Sequence, residues 1–448
     1  MKVAIIGAGI SGLTCAWLLH PHHEITLYES ESIVGGHSNT VEFECEDKAY
    51  RIDTGFIVYN DRNYPNFMKL LARLAIRGVP TEMSFAVRCD RTGVEYSGSG
   101  LAGLFAQKRN LVRPSFLRMV ADILRFNRAG AEDAQRDLGT MTVGDYLKRN
   151  GYGSGFTQHY LLPMGAAIWS CPTGTFADFP IQFILEFYRN HGLLSLTNRP
   201  QWYTIPGGSR RYVERMSAQF TARIRTSSPV VRVERDDDGV TVSAAGDVSR
   251  FDEVIFACHS DQALRMLGEP SGLEEKTLSG FPYEINEAVL HTDSSVLPRC
   301  RKAWSAWNYR IAQSGGEASA ATVTYNMNIL QHIQSSKTFC VTLNDSDRIA
   351  ESAVISRHRY AHPVFTSQRA VLQSMHAQLI RRNRTSYCGA YWGNGFHEDG
   401  VNSAMAVCRQ FGILDIDGTL DANASERSVL RSFDVSRRSA PASGGANA

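Results

Sequence analysis

No C-x-x-C pair occurs among the nine cysteines of this 448-residue chain, no stretch reaches eighteen consecutive apolar residues, and neither sign of charge dominates. Each absence excludes something. The cysteines are odd in number and scattered (Cys15, Cys45, Cys89, Cys171, Cys258, Cys300, Cys340, Cys388, Cys408), which argues against a disulfide framework or a zinc site and suits a reducing cytoplasm. A net charge of +2 provides no broad basic field for nucleic acid. Without a long apolar run no transmembrane helix is expected. The length and 43% hydrophobic content allow two globular domains with a large core. The exception is the end of the chain, "SRRSAPASGGANA", whose composition predicts disorder over 434–448.

Glycine at defined intervals is what the chain does have. In "MKVAIIGAGISGLTCAWLLH", Val3 to Ile6 reads as a short buried strand. Gly7, Gly9 and Gly12 follow in G-x-G-x-x-G spacing, and Ile10 and Ser11 open an apolar helix. Gly7 suits a tight turn, Gly9 a close approach of backbone to a pyrophosphate, and Gly12 the packing of helix on strand. The free N–H groups of the helix start then face the phosphates. A second strand, "EITLYES", ends in Glu29, seventeen residues after Gly12, where a carboxylate can accept from a ribose 2′-OH. The opening also has the basic start and apolar middle of a secretory signal, but a signal needs no such glycine spacing. A dinucleotide site is therefore expected.

Later segments extend the pattern. "ESIVGGHSNT" pairs Gly35 with Gly36 in a loop able to wrap the far side of a pyrophosphate. "YRIDTGFIVYN" turns at Asp53-Thr54-Gly55, and "WYTIPGGSRRYVERM" carries a Gly207-Gly208 turn that opens a helix. "SSPVVRVERDDDGVTVSA" reads as two antiparallel strands around Asp238-Gly239, and "FDEVIFACHSDQALRML" as a strand followed by a helix. In "SYCGAYWGNGFHEDGVNSAMAVCRQFG" a strand and a Gly-rich loop precede a helix starting near Glu398, whose N-terminus could hold the polar edge of a cofactor ring.

In this order the pieces resemble the flavin-containing amine oxidase superfamily, which includes protoporphyrinogen oxidase and phytoene desaturase, over nearly the whole chain up to about Gly412. The resemblance implies an α/β fold. Its Rossmann-like FAD-binding domain of the amine-oxidase type would be assembled from 1–78, 195–279 and 385–412. Interleaved with it, 79–194 and 280–384 would form a substrate domain of mixed sheet plus helices. It implies cofactor contacts from Gly7, Gly9, Ile10, Ser11, Gly12, Glu29, Gly35, Gly36, His37, Thr54, Gly55, Phe56 and Gly389. Val230 would meet the adenine through its backbone, and His397, Glu398 and Val401 would lie under the isoalloxazine. Tyr360, in "RYAHPVF", and Phe396 would line the substrate pocket, although large aromatics are equally at home in a core.

Three departures stand out: His37 where the family usually has arginine, Ala390 after Gly389, and Asp399 where glycine is typical. Histidine can still donate to phosphate, with less charge than arginine near neutral pH. The cysteine that binds flavin covalently in some members has no counterpart, so the FAD is expected to be non-covalent, with Cys388 a core thiol. No metal is expected, and no catalytic side chain is singled out, because hydride transfer is the cofactor's chemistry.

"DTGFIVYNDRNYPNF", "YLLPMGAAIWS", "NEAVLHTD", "TYNMN" and "CGAYWGNGFHEDG" are similar to a bacterial subgroup of NAD/FAD-binding oxidoreductases encoded beside cyclopropane-fatty-acid synthase-like methyltransferases. That similarity implies removal of hydride from a C–H bond of an apolar, fatty-acyl substrate, as in desaturation. It also implies a cytoplasmic protein peripheral to the inner membrane face, with a methyltransferase as partner. The alternatives are an amine oxidase, a non-catalytic flavoprotein partner of a lipid methyltransferase, and an NAD-only dehydrogenase. Between Leu101 and Gly130, six basic residues face one acid, Asp122, with bulky apolar residues interleaved. This stretch reads either as helices lying on anionic headgroups or as an ordinary amphipathic helix with a solvated charged face.

Overall fold

The computed structural model describes residues 1–413 and 416, apart from 196, 198, 314–319, 365 and 367. The tail expected to be disordered, 434–448, lies outside the described residues. Two sheets organise the fold. The first has five parallel strands, because its apolar runs are buried on both faces. β1 (Lys2–Ile6) lies at its centre between β2 (Glu24–Tyr28) and β3 (Glu253–Phe256), with Ile224–Arg225 and Thr385–Tyr387 at the edges. Register pairs Ala4 with Thr26 on one side and with Val254 on the other. α1 (Ile10–Leu19) follows β1 directly and packs back onto the sheet.

The second sheet has seven strands and is mostly antiparallel. At one edge β4 (Tyr283–His291) pairs with β5 (Val354–Pro363). The order continues through Cys340–Leu343, Val323–Asn326 and Trp307–Ile311 to Phe85–Cys89 and Glu95–Ser97. The Trp307–Ile311 and Phe85–Cys89 pair is parallel, which joins two strands from before residue 100 to strands from beyond residue 280 in one sheet. Helices between 100 and 190 cover it.

Three further helices matter to the site: α2 (Pro65–Arg73), α3 (Pro114–Asp133) and α4 (His397–Gln410). Pro114 starts α3 at a position where its missing N–H costs nothing, so the basic stretch is divided between a short helix (Gly100–Leu104), a 3-10 turn (Lys108–Val112) and α3. Each sheet has its own core. Leu13, Phe67, Tyr212 and Val401 belong to one, while Phe126, Trp169, Leu290 and Tyr360 belong to the other. Phe396 packs against both.

Candidate functional site

Gly7, Gly9 and Gly12 divide the work at the β1–α1 turn. Gly7 has φ +103°, and a methyl there would stand 2.9 Å from the Ala257 carbonyl oxygen. A methyl on Gly12 would lie 1.9 Å from the Gly7 carbonyl oxygen, so only glycine lets the helix sit this close. At Gly9 the corresponding space is open, with nothing within 4 Å. Gly9 is also the N-cap of α1 and no side chain caps the helix, which leaves its first-turn amides directed at that space.

Two segments enclose the turn. Gly35 donates its N–H to the Ala8 carbonyl at 2.8 Å, and Gly36, at φ +56°, packs against Gly9. Glu29 accepts from the Ala8 N–H at 2.8 Å and from the Glu31 N–H at 3.0 Å, so its carboxylate is fixed beside the loop. Ser227 and Ser228 pair with Glu31 and Glu29 through backbone bonds of 2.8 Å, which brings Val230 to the same edge.

α4 reaches the turn from the other side. A methyl on Gly400 would meet Ile10 Cγ2 at 2.8 Å and Ser11 Oγ at 3.0 Å, so this glycine allows the first turns of α1 and α4 to cross in contact. Two helix N-termini therefore converge, and their partial positive charges favour a negatively polarised ligand. The side chains of α4's first turn face inward. His397 Nε2 lies 2.8 Å from Ser38 Oγ and 3.1 Å from Tyr212 OH, and its ring stacks on Phe56 at 3.5 Å. Burial pushes its pKa down to about 3, so the ring is neutral. Glu398 accepts from the Asn66 and Phe67 amides at the start of α2, at 3.0 and 2.8 Å. Burial pushes its carboxyl up to about 7 against the pull of those amides. Val401 is core. The side chains of His397 and Glu398 are thus engaged by protein groups, which leaves the N–H groups at the start of α4 to meet a bound ring. Asp399, where glycine was the expectation, caps α4 by accepting from the Phe396 N–H at 2.9 Å.

The Asp53-Thr54-Gly55 turn proves to be a hub. Asp53 accepts from Thr40 Oγ1 at 2.6 Å, from the Ser209 N–H and hydroxyl at 2.8 Å each, and from Gln331 Nε2 at 3.0 Å. Burial pushes its carboxyl up to about 6. Thr54 Oγ1 bonds Tyr360 OH at 2.8 Å, the Phe56 N–H bonds the His37 carbonyl at 2.7 Å, and Gly55 lies directly under that carbonyl. Tyr360 is thus joined to the glycine loop, whereas Phe396 stands apart, stacked on Phe187. Gly389 donates to Ser403 Oγ at 2.9 Å, and Cys388 is buried with its sulfur 3.7 Å from that of Cys15.

Sequence reasoning missed the neighbours of His37. His362 and His259 lie 5.3 and 6.5 Å from it, ring to ring, and Tyr360 lies at 4.9 Å. His358, Tyr360 and His362 alternate along β5, so they share one face of the sheet; that period of two was the available signal. Burial first, and then the neighbouring imidazoles, hold His37 well below the ordinary histidine pKa. His37 Nε2 is buried and finds no partner among the described residues. This buried ring nitrogen, a donor when it carries the imidazole proton, stands beside an open glycine cradle and two helix N-termini, which is what a bound phosphate group would satisfy.

The fold and this cradle define a dinucleotide-binding flavoprotein, and comparison with known proteins makes the assignment specific. The family model described as flavin containing amine oxidoreductase matches residues 10–291, and the chain belongs to that family. A Mycobacterium tuberculosis protein designated a flavin-containing monoamine oxidase, AofH, is 24% identical over 336 residues, covering 71% of this chain and 68% of its own. The solved structure of a putrescine oxidase variant superposes with a TM-score of 0.64 at 14% identity, covering 92% of this chain and 98% of its own. An Exiguobacterium structure named a protoporphyrinogen oxidase gives 0.64 at 17% identity, covering 92% and 99%. The protein is an FAD-dependent oxidoreductase of the amine-oxidase type.

Proposed function

We propose that this enzyme removes hydride from a C–H bond of an apolar, fatty-acyl substrate. FAD, when bound, supplies the two-electron acceptor. Gly7 to Gly12 and Gly35 to His37 would hold its pyrophosphate, Glu29 and the backbone of Val230 its adenosine half, and the first turn of α4 the polar edge of its ring. The chain's own contribution is to orient the substrate and exclude water.

The observation that carries this reading is the aromatic cluster at the start of α4, flanked by the guanidinium of Arg369, which lies over Phe183 at 4.1 Å. Phe396 stacks on Phe187 at 5.5 Å, and Phe187 lies 4.8 Å from Trp169 and 3.8 Å from His191. Burial pushes the His191 pKa down to about 4, so this ring too is neutral. Trp169 and Phe187 are buried, so an acyl chain would meet this cluster through the half-buried Phe396 and His191, gaining roughly 25 cal/mol per Å² of apolar surface removed from water. The fold is shared by a protein named as a CLA-producing fatty acid isomerase, with a TM-score of 0.61 at 14% identity.

A second reading, oxidation at a carbon beside nitrogen, is favoured by the names of AofH and of the putrescine and cyclohexylamine oxidases of the same fold. Anaerobic mixing of the holoenzyme with phospholipids bearing monounsaturated chains, and separately with primary amines, decides between them. Flavin bleaching by the lipid, with loss of two hydrogens from the recovered acyl chain, is the expected result. Bleaching by amines alone would replace the proposal with the second reading.

A further inference from the structure

The segment from Leu101 to Arg128 is apolar on two opposite sides. The inner side of α3 is core, with Phe116, Met119 and Phe126 buried. An ordinary amphipathic helix would then be polar outside. Here Leu117, Ala121 and Leu124 recur at helical spacing on the solvent side, with Leu117 43% and Leu124 51% exposed. The turn before α3 adds Leu111 at 52% and Val112 at 81%, and the short helix before that adds Leu101 at 75%. Among the described residues, five of the twelve strongly exposed large apolar side chains lie in these 24 positions.

Cations frame this apolar strip. Lys108, Arg109, Arg118, Arg125 and Arg128 are exposed around it. The one acid of the stretch, Asp122, is buried and bonded to Arg125 and to the Gly153 N–H. Arg113 is turned away from this strip and lines a cavity of about 340 Å³ with Arg91, Ser115 and the buried Phe116 and Met119, on the inner side of α3. No described helix is long and apolar enough to cross a membrane.

We propose that this face docks the protein on an anionic phospholipid surface. Leu111, Val112, Leu117 and Leu124 would enter the headgroup–acyl boundary, with Lys108, Arg118 and Arg128 set against lipid phosphates. A bilayer meets both halves of the pattern at once, apolar depth for the leucines and negative charge for their flanks. A second copy of the chain meets only the first, because a two-fold interface would bring two copies of the same cationic rim together, with no exposed acid between Leu101 and Gly130 to pair them. The proposal stands independently of which C–H bond is oxidised.

The test is co-sedimentation of the FAD-loaded full chain with phosphatidylcholine vesicles, with and without phosphatidylglycerol, at low and high salt. Partition onto the anionic vesicles alone, falling as salt rises, is expected. Each basic residue near such a surface contributes roughly a fivefold change, so Lys108→Glu with Arg118→Glu should lower partition by about 25-fold or more. Val112→Ser with Leu117→Ser should lower it independently, while Val248→Ser, an equally exposed apolar site in a hairpin far along the chain, should not. Tm and the visible flavin spectrum of all variants should match the parent. Equal partition onto neutral vesicles, none at low salt, or no loss in either double variant would overturn the proposal. So would an equal loss in Val248→Ser.

Discussion

His37 shows how one side chain can carry a departure from its family. It stands where a permanent positive charge is usual, and its Nε2 is buried without a partner among the described residues. His362 and His259 lie beside it, and burial holds all three imidazoles below the ordinary histidine pKa, so they supply hydrogen-bonding capacity and not the charge of an arginine. A hydrogen bond to a charged group contributes about 1.5–3 kcal/mol, and His37→Ala should therefore raise the FAD dissociation constant tenfold or more, read by flavin release on equilibrium dialysis. Unchanged affinity would remove His37 from the cofactor site. The residue itself was visible beside Gly35-Gly36, but its partners lie more than 200 positions away in sequence, where no local pattern could connect them.

The decisive contact between elements is the crossing of α1 and α4. Gly400 sits against Ile10 and Ser11, so any larger side chain must push the two helix starts apart. Gly400→Val should cost about 1–3 kcal/mol by overpacking. It should also weaken flavin retention, because the two N-termini would no longer converge. A lowered Tm with loss of yellow colour on gel filtration is the expected result, and a stable, fully yellow variant would contradict it. At this scale the sequence was clear for β1, α1 and β2, where buried-strand and helix periodicities adjoin the glycines. It was less clear for 79–194, where the strands Phe85–Cys89 and Glu95–Ser97 complete a sheet whose next strand lies beyond residue 300. It named Glu398 as a cofactor contact but could not show that this residue of α4 caps α2.

For the whole molecule, buried titratable groups set a direction for acid stability. Burial pushes His191, His291, His362 and His376 down to about 4 and His397 to about 3. All five fall below the unfolded imidazole value near 6.5, so on acidification the unfolded chain takes up protons first and stability is lost from about pH 6.5 downward. Asp53 and Asp399, raised to about 6, and Glu398, raised to about 7, act in the opposite sense, because their folded forms hold protons that the unfolded chain has released. Five imidazoles outweigh three carboxyls. The urea midpoint should therefore fall between pH 7 and pH 5, and a flat or rising midpoint would reverse this accounting. What the sequence by itself determined is the dinucleotide-binding half, because turn, helix start and strand lie within thirty residues of one another and backbone sterics demand glycine at Gly7 and Gly12. The flavin followed from the resemblance over the longer chain. Only the tertiary structure decided where His37, Asp53 and Glu398 find their partners and which side of α3 faces outward. Those contacts join residues far apart in the chain, and their energies depend on burial that exists only once both sheets have closed around them.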